Sequence, residues 1–171
     1  NIEGYPSENF IRSVLECKPD QVTLVPDPPG ALTSDSGWDT ITQADFLKRT
    51  VSVFKDSGIR VSLFLNPDPA LVEPAFNTGA DRIELYTGNY SKEFGSDKFL
   101  AVSDHKRTAE MAVSWGLGIN AGHDLNLENL HFYQQQVPGL LEVSIGHALI
   151  CDALYYGLQN TIGMYLYELR K

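Results

Sequence analysis

The chain has 171 residues, 43% of them hydrophobic, which is enough to bury a core as a single domain spanning residues 1–171. Its formal net charge of −9 argues against nucleic acid or an anionic membrane as the main partner, but leaves small phosphate ligands open. No apolar stretch approaches the roughly 18 residues of a membrane span. The two cysteines, Cys17 and Cys151, form no CxxC motif, which predicts reduced, at least partly buried thiols in a cytoplasmic protein.

Short apolar runs alternate with longer amphipathic stretches along the whole chain. The predicted strands cover residues 1–4, 22–26, 60–66, 82–86, 117–120 and 141–145. The helices predicted to follow them cover about residues 7–17, 42–57, 69–78, 97–115, 127–135 and 148–170. Three helices are predicted to end at glycines, namely Gly58, Gly79 and Gly116. Three residues have the side chains expected of N-caps, namely Ser7, Asp97 and Asn126.

Strands that alternate with helices indicate parallel βαβ units. Six such units fit either a doubly wound open sheet or part of a TIM (β/α)8 barrel, which typically needs about 250 residues. No GxGxxG or GxxxxGKS/T motif follows a strand, so nucleotide binding on an open sheet has little support. We therefore predict an α/β fold of the TIM-barrel type with about six units in this chain. The abrupt start at Asn1 favours a barrel whose first two units are missing.

Ionisable residues cluster where the predicted strands end, which is where barrel enzymes carry their chemistry. Glu3 ends the first strand, and His123 follows the fifth. Glu84 lies in the fourth strand between Ile83 and Leu85 and points to the opposite side from them, so it needs a partner or a function. Structural roles stay open for all three residues: a solvent-facing Glu3, an ion-paired Glu84 and a hydrogen-bonded loop His123.

Gly146 and His147 end the sixth strand and open the last helix, whose free N–H groups could bind an anion. Barrels often bind phosphate at this strand, although a purely structural His147 is also possible.

The histidines show no HxH or HExxH spacing, and His105 and His131 are expected on helix surfaces, so we predict no metal. No lysine ends a strand and no GxSxG occurs, which disfavours Schiff-base and serine chemistry. Proton transfer by carboxylates and histidine remains.

Six segments together resemble one family in order and spacing. They are NIEG, ECKPDQVTLVP, GIRVSLFLNPD, GADRIELYTGNY, LGINAGHDL and EVSIGHALI. In these segments the chain resembles the pyridoxine 5′-phosphate synthase family of vitamin B6 biosynthesis over nearly its whole length. The resemblance implies a (β/α)8 barrel in a homo-octamer that works without metal or organic cofactor. It also implies condensation of 3-amino-2-oxopropyl phosphate with 1-deoxy-D-xylulose 5-phosphate, giving pyridoxine 5′-phosphate, inorganic phosphate and water.

The resemblance further implies a role for individual residues of this chain. The implied catalytic residues are Glu3 as proton acceptor, His123 as proton donor and Glu84 as the group that stabilises a charged transition state. The implied substrate-binding residues are Thr33 for the deoxyxylulose phosphate, and Asp124, Gly146 and His147 for the amino-ketone phosphate.

The sequence departs from the family pattern in three ways. The first two units, which normally carry an Asn-x-Asp-His motif, are not in this chain. The loop over residues 27–37, which we predict to be a lid, lacks the Lys-Arg pair that is common there. Asp124 replaces a common glycine, so we expect its backbone N–H to contact phosphate while its carboxylate turns away. Two alternatives stay open: another phosphate-binding TIM-barrel enzyme, either an isomerase or a non-lysine lyase, and a non-catalytic barrel fragment.

Overall fold

The computed structural model describes residues 1–27, 30 and 35–170, and its six strands form one parallel sheet. Each strand pairs with its neighbour in the chain, in the order β1-β2-β3-β4-β5-β6. The strands are β1 Ile2–Gly4, β2 Gln21–Leu24, β3 Arg60–Leu65, β4 Arg82–Tyr86, β5 Gly118–Gly122 and β6 Leu140–Ser144. The helices are α1 Glu8–Cys17, α2 Ala44–Lys55, α3 Val72–Asn77, α4 Gly88–Trp115, α5 Leu130–Gln136, α6 His147–Tyr156 and α7 Leu158–Glu168.

The core lies between the outer face of the sheet and the helices that cover it. Apolar residues alternate along the central strands, and those on the outer face are fully buried, for example Leu24, Leu63 and Ile83. They pack in one cluster with apolar side chains of the helices, such as Val51 of α2 and Ala109 of α4. Burying this alternating pattern fixes which side chains face the other side of the sheet, because a strand turns successive residues to opposite faces.

The sheet is curled, as the TIM-type prediction requires. Glu142 on β6 lies 3.1 Å from the Arg60 guanidinium of β3 and 2.8 Å from that of Arg82 on β4. Gln21 of β2 also donates to Glu142, at 3.3 Å. These contacts join strands far apart in the sheet order, so side chains on the concave inner face meet across the sheet near its amino end. The α/β architecture of the TIM-barrel type is therefore confirmed, whereas two further units remain a prediction.

Of the three side-chain caps predicted from the sequence, Ser7 caps the start of a helix. Asp97 and Asn126 accept similar hydrogen bonds elsewhere, at a kink inside α4 and in the turn before α5, whose N-cap residue is Asn129. Ser7 Oγ accepts a hydrogen bond from Phe10 N at 3.3 Å, at the start of α1. Asp97 Oδ1 accepts from two successive backbone N–H groups, each at 3.0 Å. Asn126 Oδ1 likewise accepts two backbone hydrogen bonds, at 2.9 and 3.2 Å, in the turn before α5. Glycines with positive φ follow three helices as predicted, at Gly58, Gly79 and Gly116.

Two helix predictions were wrong in their extent. Helical structure begins at Gly88 rather than at Asp97, and α4 runs through a kink at Asp97, whose φ of −151° and ψ of 94° are not helical. Tyr90 in the added segment is fully buried and anchors it to the core. The predicted long last helix is two helices, α6 and α7, because Gly157 between them adopts a φ of 78°.

Three burial predictions were also wrong. His105, expected on the surface, is 1% exposed, and its Nδ1 lies 2.9 Å from Tyr133 Oη. It faces inward because that side of α4 meets α5, and burial lowers its pKa to about 4. Cys17 and Cys151 are exposed free thiols rather than partly buried ones, since both lie on outward faces of their helices.

No helix in the described part of the chain is long and apolar enough to cross a membrane.

Candidate active site

A cavity of about 730 Å³ opens at the carboxyl end of the sheet. Six of the seven residues predicted from the sequence line it: Glu3, Glu84, His123, Asp124, Gly146 and His147. The seventh, Thr33, lies outside the described residues, as does most of the predicted lid. Parallel strands end at the same edge of a sheet, so residues distant in sequence meet there. The structure brings these six residues together, while their individual roles stay predictions.

Glu84 lies on the inner face of β4 and is 1% exposed. Its Oε2 accepts a hydrogen bond from Thr23 Oγ1 at 3.1 Å, and the Ser144 hydroxyl also hydrogen-bonds to its carboxyl group. Burial raises the pKa of Glu84 to about 7, with a smaller contribution from the negative charge of Glu3, while the two hydroxyls act in the opposite direction. Both the ionised and the protonated forms of Glu84 are therefore populated near neutral pH.

Glu3 is a more open carboxylate at the edge of the same cavity. Its pKa is raised from the ordinary value, mainly by desolvation, and positive charge on His123 opposes this shift. The negative charge of Asp27 adds a smaller upward contribution. A carboxylate with a raised pKa that meets solvent on one side is a better proton acceptor than an ordinary surface glutamate.

His123 follows directly after β5, with a backbone φ of 103° that is uncommon for a residue other than glycine. This conformation places its ring edge-on to Tyr86, with ring centroids 5.3 Å apart. His123 Nδ1 lies 3.0 Å from Asp124 Oδ2, close enough for an ion pair when the imidazole is protonated. The Asp124 carboxylate thus faces His123, and the expected contact between its backbone N–H and phosphate stays a prediction.

Gly146 and His147 lie at the start of α6, and both are exposed to the cavity. The first backbone N–H groups of a helix have no intrahelical partner and face the positive end of the helix dipole. An anion that enters the cavity can therefore meet unpaired donors here. Among the described residues, no group of three His, Cys, Asp or Glu side chains is arranged to hold a metal ion.

Two site residues were missed by the sequence reasoning. Thr23 is fully buried and contacts Glu84, and Ser144 lies in the cavity wall beside the same carboxyl group. The alternation that drew attention to Glu84 applies equally to Thr23, because its neighbours Val22 and Leu24 point to the apolar face. The alternation therefore indicates that Thr23 faces the same side of the sheet as Glu84. A buried hydroxyl group is common in proteins, however, so it points to a functional site less strongly than a buried charge does.

The curled parallel sheet, with carboxylates and a histidine at its carboxyl end, has the architecture of the TIM-barrel class. Solved structures support that fold. The YdjI aldolase from Escherichia coli is similar with a TM-score of 0.61 and 14% sequence identity, over 99% of this chain and 66% of its own. A xylose isomerase domain protein from Planctomyces limnophilus is similar with a TM-score of 0.58 and 14% identity, over 99% of this chain and 70% of its own.

Sequence relatives narrow the class to one family. The family model for the pyridoxal phosphate biosynthesis protein PdxJ matches residues 1–171. The pyridoxine 5′-phosphate synthase of Cytophaga hutchinsonii is 58% identical over all of this chain and 72% of its own length. The synthase of Flavobacterium johnsoniae is 54% identical over 99% of this chain and 72% of its own length. The chain belongs to this family of pyridoxine 5′-phosphate synthases.

Proposed function

We propose that this chain condenses 3-amino-2-oxopropyl phosphate with 1-deoxy-D-xylulose 5-phosphate to give pyridoxine 5′-phosphate, inorganic phosphate and water. The observation that carries the proposal is the single cavity in which Glu3, Glu84 and His123 meet beside the start of α6. Addition of an amine to a ketone, loss of water and ring closure are successive proton transfers, which such groups catalyse.

Glu3 and His123 are assigned to proton transfer in opposite directions. Glu3 has a raised pKa and an open side, so it accepts protons from the reacting carbon or nitrogen atoms. His123 donates protons to leaving oxygens, and the Asp124 carboxylate at 3.0 Å from Nδ1 orients the imidazole ring. Because Glu3 and His123 have different environments, one can act as the base and the other as the acid within the same cavity.

Glu84 is assigned to stabilising positive charge as it develops on the imine nitrogen. Its carboxyl group is buried, so its interaction with a developing charge is weakly screened. Its pKa of about 7 also limits the negative charge in a cavity that must accept two phosphate esters. A fully ionised Glu84 beside Glu3 and Asp124 would repel those substrates more strongly.

The start of α6 is assigned to the phosphate of the amino-ketone. The unpaired backbone N–H groups near Gly146 and the His147 side chain supply donors in a cavity that also contains the carboxyl groups of Glu3, Glu84 and Asp124. Replacing His147 with Gln should raise the KM for this substrate about tenfold and change kcat less, as expected for loss of one hydrogen bond to a charged group. An unchanged KM would remove His147 from the binding site.

The direct test is formation of pyridoxine 5′-phosphate by the purified full-length protein supplied with both substrates and no added cofactor. Product detected by chromatography and mass spectrometry supports the proposal. Absence of product would favour another phosphate-handling barrel enzyme or a non-catalytic role.

The Glu3→Gln variant tests the chemistry separately from the overall activity. Loss of a general base should lower turnover by about 10²–10⁴-fold. Glu16→Gln is the matched control, because Glu16 is exposed on α1 and does not line the cavity. Equal turnover in both variants would exclude Glu3 as the proton acceptor.

We also propose that a closed eight-unit barrel forms when two further βα units pair with β1 and β6. The proposal rests on the outer edges of these two strands, which have no strand partner among the described residues. Slow amide exchange along β6 in the full-length protein would support closure, and fast exchange would contradict it.

A homo-octamer in the cytoplasm is proposed from the family resemblance, and the exposed free thiols agree with a reducing compartment. Sedimentation analysis tests the octamer.

A further inference from the structure

The Glu84 carboxyl group is held from several sides by residues that carry no charge. A glutamate side chain has three rotatable bonds, so burial on the inner face of β4 does not by itself fix where its two oxygens point. Small displacements matter for a group that must face a developing charge, since misplacement by about 1 Å can cost on the order of 10²-fold in rate. The contacts around Oε1 and Oε2 therefore decide how well the group is aimed.

Thr23 of β2 holds the Oε2 side. It is fully buried, and its Oγ1 lies 3.1 Å from Glu84 Oε2 and 3.2 Å from Asn1 Oδ1. A hydroxyl group has a single proton, so it donates to one of these oxygens at a time. Thr23 is also the register partner of Glu3 on the neighbouring strand, so this residue lies next to Glu3 as well as in contact with Glu84.

Gly122 of β5 and Ser144 of β6 enclose the other side. The Ser144 hydroxyl hydrogen-bonds to the Glu84 carboxyl group. A Cβ atom at Gly122 would collide with Glu84 Oε1 and come within 3.0 Å of the Ser144 Cβ. Gly122 and Ser144 are register partners on adjacent strands, so the space for Oε1 exists only because one of the two has no side chain.

We propose that Thr23, Gly122 and Ser144 form a cradle that orients the Glu84 carboxyl group, which makes them positioning residues for the reaction. The inference rests on the role proposed above for Glu84. Two hydroxyls fix the oxygens by donating hydrogen bonds, and the glycine provides the room. Neither Thr23 nor Gly122 lines the cavity itself, so they act through Glu84 rather than on the substrates.

Thr23→Val in the full-length protein tests the Oε2 side, because valine keeps the shape and removes the donor. We expect kcat to fall about 10–100-fold with a smaller change in KM. Glu84→Gln identifies the limb of the pH–rate profile that reports ionisation of Glu84, because that limb disappears in this variant. In Thr23→Val the same limb should move to higher pH, because the ionised carboxylate loses a hydrogen-bond donor and its pKa rises. Thr23→Ser restores the hydroxyl and should return both kcat and the limb toward the wild-type values.

Gly122→Ala tests the Oε1 side and should lower kcat at least as much, since the added methyl group displaces the carboxyl group. Gly163→Ala is its control, because no atom beyond the adjoining helix backbone lies within 4 Å of a Cβ at that exposed helical position. Circular dichroism and thermal unfolding establish that each variant is folded. Ser144→Ala supplies a second measurement on this side should Gly122→Ala fail to fold.

The outcomes separate the cradle from the proposed function. If Glu84→Gln lowers kcat but Thr23→Val and Ser144→Ala leave both kcat and the pH limb unchanged, the cradle is wrong and the role of Glu84 stands. If Glu84→Gln itself retains full kcat, the role of Glu84 is wrong. Loss of kcat in Thr23→Val with rescue in Thr23→Ser supports the cradle.

Discussion

The four central strands and the β6–α6–α7 end of the molecule differ sharply in burial, although both are rich in apolar residues. Leu63 on the outer face of β3 is fully buried under helices. At the other end, Leu154 of α6 is 81% exposed and Tyr155 is 86% exposed. Burial therefore depends on which elements lie beside a residue and not on apolar composition alone.

The candidate active site draws on both regions and uses each for what it provides. The buried centre supplies Glu84, whose pKa is raised because water is excluded from it. The exposed end supplies Gly146 and His147, which are open to solvent and are proposed above to bind the phosphate. A site that must perturb a carboxyl group and also admit charged substrates needs one rigidly packed side and one open side.

The largest expected effect is at the packed centre. Leu63→Ala should lower the free energy of unfolding of this 171-residue chain by about 2–5 kcal/mol, because it removes buried methyl groups and leaves a cavity. Urea denaturation followed by circular dichroism measures the change. A loss below 1 kcal/mol would show that the outer face of β3 is less tightly packed than the structure indicates.

Glu84 provides a pH-dependent test of the same region. Its pKa is 4.5 in the ordinary state and about 7 in the folded chain, so the unfolded chain releases this proton first as the pH rises. The free energy of unfolding is therefore highest below pH 4.5 and falls by about 3 kcal/mol between pH 4.5 and 7 because of this group. Above pH 7 the contribution of Glu84 no longer changes. Urea denaturation across this pH range should show the free energy of unfolding falling more steeply for the wild-type chain than for Glu84→Gln. The same pH dependence in both proteins would contradict the raised pKa of Glu84.

The contacts of Glu142 join the exposed end to the centre and should have an intermediate effect. Glu142→Gln removes the charge that pairs with Arg60 and Arg82, and should lower the free energy of unfolding by about 1 kcal/mol. Asp104→Asn, which breaks an exposed pair with Arg107 on one helix, should cost less than about 0.5 kcal/mol. Equal losses in the two variants would mean that Glu142 does not hold the curl of the sheet.

The alternation of strands and helices and the position of Glu84 could be predicted from the sequence, because both follow from local periodicity. The sequence could also place His123 at the end of a strand. It could not show that Thr23 touches Glu84, since β2 and β4 are not adjacent and their contact depends on how the sheet curls. Long-range geometry of this kind has no local signature.

The errors have a similar origin. His105 is predicted on the surface because it falls on a predicted helix away from the strand ends, yet α5 covers it and Tyr133 contacts its ring nitrogen. The break between α6 and α7 depends on one glycine in a chain segment that is otherwise helical in pattern. A glycine does not always break a helix, as the uninterrupted helix around Gly163 shows.

The smallest effect is expected at Leu154, where the same substitution as in the centre meets water instead of a core. Leu154→Ala in this 171-residue chain should change the free energy of unfolding by less than about 0.5 kcal/mol, because little apolar surface is released from contact. The comparison becomes sharper if the measurement is repeated on the full-length assembled protein. A loss of 2 kcal/mol or more there, with no loss in the isolated chain, would show that another unit or subunit covers α6.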